Sequence, residues 1–193
     1  MTLWEWRIAA AGGGALVGFA LTLCGGWWWL SERRRRRRLV DLLEAIAPEC
    51  LRDVLVPDGA DAWYHVDFLL RCSRGIVIVD VRNVRGAVFG AEHMDEWTVM
   101  DGNVRRTFPN PLHALYDRIA AVRAVTGDAV PVEGCVVLLE RARFATVAPP
   151  HTVLLEDLVD YAEPAAALGA LYAEPFAALA AVTQPTPREL RRR

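Results

Sequence analysis

Lysine is absent: all 22 basic residues of this 193-residue chain are arginine. That excludes chemistry needing an amine that can lose its proton, because a guanidinium stays charged near neutral pH. Cysteine is sparse. Cys24, Cys50, Cys72 and Cys135 are scattered, with no CxxC pair and no Cys/His ligand spacing. The pattern argues against structural zinc, and the last three read as small buried or half-buried residues of a reducing compartment. No internal repeat is visible, and charge is missing altogether from Ile8 to Leu30.

That uncharged stretch, IAAAGGGALVGFALTLCGGWWWL, is 23 residues long. At 1.5 Å per residue a helix of this length spans about 34 Å, enough to cross a bilayer core. Trp4 and Trp6 stand at one end and Trp27, Trp28 and Trp29 at the other, as interfacial aromatic belts require. Six arginines, Arg33 to Arg38, follow Ser31-Glu32, whereas the opposite flank has only Arg7, offset by Glu5. The positive-inside rule then puts residues 1–7 outside and the remainder in the cytoplasm, with a bacterial inner membrane as the expected location. A cleaved secretory signal does not fit a Trp triplet followed by six Arg, and a lipoprotein signal fails because Leu23, not a small residue, precedes Cys24.

The arginine run is expected to set topology and touch anionic lipid, although nucleic acid is an alternative partner. Removing Arg7 and Arg33–Arg38 from the 22 basic residues leaves 15; removing Glu5 and Glu32 from the 24 acids leaves 22. The cytoplasmic part therefore sits near −7, a poor footprint for gripping DNA.

The cytoplasmic part reads as α/β or α+β on one sheet. Leu39–Ala47 has helical periodicity and ends before Pro48; Val56–Asp61 is turn chemistry. Trp63–Arg71 and Ile76–Arg82 are apolar strands joined at Ser73-Arg74-Gly75, an antiparallel hairpin. Ala87–Phe89, Trp97–Met100 and Val104–Thr107 are further strands, the last two flanking Asp101-Gly102-Asn103. Asn110 and Pro111 suit the cap and first turn of a helix over Leu112–Val125, with Leu115, Ile119, Val122 and Val125 on one stripe. Val132–Leu139 is an apolar strand; helices are expected over Leu154–Ala162 and Ala165–Val182, packing on the domain, and residues 183–193 as a mobile tail.

Within GIVIVDVRNVRG (75–86), Ile76, Ile78, Asp80 and Arg82 fall on one strand face. An apolar strand that places a carboxylate and a guanidinium at its end is either running into water as a simple ion pair or carrying a site. Three further features accompany it: an Asp on the preceding strand (HVDFLLRCSRG), an isolated Trp97, and Asn-Pro opening a helix (NPLHA, Asn110–Ala114). This ordered set, over residues 63 to about 139, resembles the NERD domain, the nuclease-related domain of the PD-(D/E)xK nuclease superfamily.

The resemblance implies a restriction-endonuclease-like domain, with a central mixed sheet flanked by helices, over residues 39–150. Residues 8–30 would be its membrane helix, 31–38 a polybasic linker, and 151–182 C-terminal helices. It also implies Mg²⁺-assisted phosphodiester hydrolysis, in which two acids and a strand carbonyl hold the metal. Asp67 would match the first acid, Asp80 the Glu of Glu-x-Lys, Val81 the carbonyl between, and Arg82 the Lys.

Four departures bear on that chemistry. Asp80 is one methylene shorter than Glu, roughly 1.5 Å of reach. Arg82 can neutralise phosphate but cannot act as a base. Ala114 stands where the family often has Gln, and no Gly-Glu opens the first helix near Arg36–Leu39.

Three functions follow as expectations. The first is a membrane-tethered NERD protein with a degenerate site, binding DNA, RNA or another partner; the others are an active Mg²⁺-dependent nuclease and a scaffold with no nucleic-acid role. Asp67 and Asp80 close together in an open cleft would let a metal bridge them, whereas a closed Asp80–Arg82 pair would make the site structural. His65 is a candidate partner of Asp67 on the same strand face. His93, Asp95 and Glu96 form a loop cluster with no organising pattern, and His113 reads as a surface residue.

Overall fold

The computed structural model describes residues 33–45, 47, 49–59, 61–139, 141–158 and 170–187. The chain divides into two units, Met1–Arg38 and Leu39–Arg193. The Ile8–Leu30 segment lies outside the described residues, and among those described no helix is long and apolar enough to cross a membrane.

Residues 33–45 are helical (α1), so the helical backbone starts six residues ahead of Leu39 and includes the arginine run. The elements that follow are β1 (Glu49–Pro57), β2 (Trp63–Cys72), β3 (Gly75–Asn83), β4 (Gly86–Phe89), β5 (Glu96–Asp101) and β6 (Val104–Pro109). Then come α2 (Pro111–Thr126), β7 (Val132–Leu139), β8 (Ala142–Phe144), β9 (Thr152–Leu154), α3 (Ala173–Val182) and β10 (Gln184–Pro185).

Two sheets form, not the single one expected. The larger runs β10-β1-β2-β3-β7-β9 and the smaller β6-β5-β4-β8. The larger is mixed: β1, β2 and β3 pair antiparallel, while β3, β7 and β9 run parallel. Parallel strands are covered on both faces and so read as continuous apolar runs. β7 fits that rule, with every residue but Glu133 buried.

Two apolar clusters cover the two faces. On one, Leu39, Leu43 and Ala47 pack with Leu70, Val79, Val137, Leu139 and Leu158. On the other, Leu112, Leu115 and Val122 of α2 and Phe176 and Leu179 of α3 pack with Ile76, Ile78, Val136 and Leu138. Val88, Trp97 and Val99 of the smaller sheet join this second cluster. Trp97 is fully buried, donates its indole N–H to the Ala91 carbonyl at 3.1 Å, and meets Phe108 edge-on with ring centroids 6.0 Å apart. Gly134 lets α2 lie close on β7, since a Cβ there would come within 2.8 Å of Leu115.

Asn110 and Pro111 act as expected. The Asn110 side chain accepts the Leu112 N–H, and Pro lies in the first turn. The β2–β3 turn depends on Gly75, whose φ is +127° and whose Cβ, if present, would stand 2.1 Å from the Pro131 carbonyl oxygen.

Three expectations change beyond the sheet count. β1 was not foreseen, because ECLRDVL mixes charge into both strand faces. The helix expected from Leu154 begins instead as strand β9, whose residues 152–154 pair with β7; residues 159–169 lie outside the described set. Of the tail expected to be mobile, Gln184 and Pro185 return to the sheet as β10 against Val54 and Leu55 and Thr186 is buried, while residues 188–193 lie outside the described set.

Candidate functional site: a buried carboxylate clamped by two arginines

The β2–β3 ladder is regular from Cys72↔Gly75 to Phe68↔Val79 and goes no further. One step on in the same register come Asp67 and Asp80. Here the strands part, and the Asp67 carboxylate accepts the Val81 N–H at 2.8 Å. A side-chain oxygen thus takes over where a ladder carbonyl would otherwise serve, leaving no orphaned donor.

The other side of β2 is distorted at the same level. Asp53 of β1 lies between the pairs Arg52↔Phe68 and Val54↔Val66 and has φ +55°, unusual for a residue with a Cβ. Its carboxylate bonds His65 Nε2 at 2.8 Å, and His65 Nδ1 stands 4.0 Å from the Asp67 carboxylate. His65 therefore sits between Asp53 and Asp67, hydrogen-bonded to Asp53, which the sequence did not point to.

Asp80 is the buried member, with its side chain 3% exposed against 27% for Asp67. Its Oδ2 accepts from Arg82 Nη2 at 2.9 Å and from Arg118 Nη1 at 3.2 Å. Arg118 comes from α2 and also donates its Nε–H to the His65 carbonyl, so one guanidinium spans β2 and β3 where they part. Burial pushes the Asp80 carboxyl up to about 6, and the neighbouring Asp67 carboxylate adds to the rise. The Arg118 and Arg82 charges oppose this but do not cancel it. Desolvation wins over two cations because the charged form has so little access to water.

Arg118 was not singled out by sequence reasoning. Three residues after Leu115, it falls at the edge of the apolar stripe of α2, and this position is the signal that could have found it. Asp53 carried no signal, since its strand was not recognised. The remaining candidates do not converge here: His93, Asp95 and Glu96 are exposed around the start of β5, and His113 is exposed on α2.

As arranged, these residues do not fit a resident Mg²⁺. Hard divalent cations need several free oxygen ligands in one small sphere. One Asp80 oxygen is taken by two guanidiniums, one Asp67 oxygen by a backbone N–H, and the Val81 carbonyl faces Arg82 Nη1 at 3.5 Å. Among the described residues no group of three or more His, Cys, Asp or Glu is placed to hold a metal.

Comparison with known families matches the nuclease-related domain, NERD, to residues 29–139, more than half of the chain. The chain belongs to the NERD family. No curated protein and no solved structure matches it. The NERD match ends at Leu139, the last residue of β7, and contains Asp67, Asp80, Val81, Arg82 and Arg118. The strands β8, β9 and β10 and helix α3 lie beyond the matched NERD segment.

Proposed function

We propose that this chain is a membrane-anchored NERD protein whose nuclease-type site is degenerate, and that the domain binds nucleic acid at the cytoplasmic face of a bacterial inner membrane without cutting it. The observation that carries the reading is the double clamp on Asp80 by Arg82 and Arg118. A carboxylate committed to two guanidiniums is withdrawn from metal chemistry. Arg82, a third exposed, still presents a cation able to meet a backbone phosphate.

The anchoring part of the proposal is supported by the uncharged Ile8–Leu30 segment, its flanking tryptophans, and the Arg33–Arg38 run, whose charge suits anionic headgroups.

The test uses the full chain in detergent micelles with labelled DNA and RNA, with Mg²⁺ or Mn²⁺ present. The expected result is no cleavage by the wild type, with retention in a gel shift that weakens in Arg82→Gln. Activity regained by Asp80→Glu with Arg82→Lys would support the degenerate reading. Metal-dependent cleavage by the wild type that disappears in Asp67→Ala would overturn it in favour of an active nuclease. Neither cleavage nor retention would also overturn it, in favour of a scaffold role.

A further inference from the structure

Arg118 makes a pair of contacts that a divalent cation could make in its place. It neutralises the Asp80 carboxylate on β3 and engages the His65 carbonyl oxygen on β2. The Asp67 carboxylate stands alongside, opposite Asp80 across the parted ladder. Two carboxylates and a strand carbonyl are the oxygen donors a hard cation takes. A planar guanidinium with five N–H donors can satisfy several such acceptors at once.

The placement is built into the fold and is not a surface accident. The Arg118 side chain is 13% exposed and comes from a helix whose Leu112, Leu115 and Val122 are fully buried against the sheet. Tight helix–sheet packing leaves the guanidinium little freedom to leave.

We propose that Arg118 is the resident cation of this cleft, a covalently tethered replacement for a divalent metal, and that removing its charge uncovers a latent metal site made by Asp67, Asp80 and the His65 carbonyl, the 33% exposed Arg82 that shares the Asp80 oxygen being free to swing into solvent where the 13% exposed Arg118 is not. This deepens the reading of the cleft as non-hydrolytic and rests on it. It differs from that reading in naming which side chain closes the site.

The experiment is Mn²⁺ binding, read by electron paramagnetic resonance and by thermal melting, on the full chain in detergent. Wild type, Arg118→Gln, Arg118→Met and Arg118→Gln with Asp80→Asn are compared. Arg118→Gln is expected to bind Mn²⁺ at least about tenfold more tightly than wild type, with Mn²⁺ raising its Tm, and the gain should vanish when Asp80 is also neutralised.

Equal Mn²⁺ affinity in wild type and a folded Arg118 variant would overturn the proposal. So would a gain that survives Asp80→Asn. Arg118→Met keeps the apolar stem of the side chain, so it guards against simple loss of packing. If neither variant folds, with or without Mn²⁺, the proposal also falls, because a refillable cation site would be rescued by metal. Wild-type silence in the cleavage assay with no Mn²⁺ gain in the variants would sink this inference alone. Wild-type cleavage would sink the reading beneath it.

Discussion

Neutralising Asp80 should change how stability depends on pH, and the sign is set by burial. The Asp80 carboxyl is pushed from its ordinary 3.8 up to about 6 in the folded chain, burial being the largest cause. The fold therefore favours the protonated form. Its contribution is fully present below about 3.8, fades as pH rises, and is lost above about 6. Raising the carboxyl from 3.8 to about 6 corresponds to about 3 kcal/mol. Most other carboxylates in a folded protein work the opposite way, so the raw wild-type curve will not reveal the effect. The difference curve will. Urea unfolding of wild type and Asp80→Asn between about pH 4 and pH 7 should show the wild type losing up to about 3 kcal/mol relative to the variant, because Asn does not titrate. A direct check is ¹³C NMR of the aspartate carboxyls, in which one resonance should titrate near 6 and vanish in Asp80→Asn. Asp67→Asn should move that midpoint down and Arg118→Gln should move it up, since the first removes a repelling charge and the second an attracting one. Parallel stability curves, or a midpoint near 4, would show that water reaches Asp80 and that burial does not outweigh the two guanidiniums.

Other substitutions test the frame around the site. Asn110→Ala removes a helix cap and the amide donors to the Glu92 and Met94 carbonyls at 2.9 and 2.7 Å, which should cost roughly 2–4 kcal/mol in urea unfolding. Gly75→Ala drives a Cβ into the Pro131 carbonyl at a positive φ, and should lower stability by more than about 2 kcal/mol; an unchanged Tm would refute the turn geometry. The Thr186 hydroxyl is the one buried side-chain polar atom without a partner among the described residues, so Thr186→Val should stabilise by about 1 kcal/mol in the same assay.

What the sequence revealed follows from how local each signal is. The β2–β3 hairpin, the β5–β6 hairpin and α2 with its Asn-Pro start were legible because periodicity and turn residues lie within a dozen positions of each other. β1 was missed because a strand paired on both sides can carry Glu49, Arg52 and Asp53 without a clean alternation. β9 and β10 are two or three residues each, and such short strands exist only because a longer neighbour offers its edge. The clamp was half legible: Arg82 lies two residues from Asp80, but Arg118 is 38 residues away and reaches it only through α2 packing.

The placement of β9 and β10 has a consequence for any attempt to trim the chain. Both strands come from sequence beyond the matched segment, yet they sit at opposite rims of the larger sheet, β10 on β1 and β9 on β7. A fragment ending at Leu139 would bare two rows of backbone donors and acceptors at once, one along a strand that is almost wholly apolar. Exposed edges of that kind recruit strands from neighbouring molecules. The family segment on its own should therefore be sticky, and β9 and β10 serve as its selvedge.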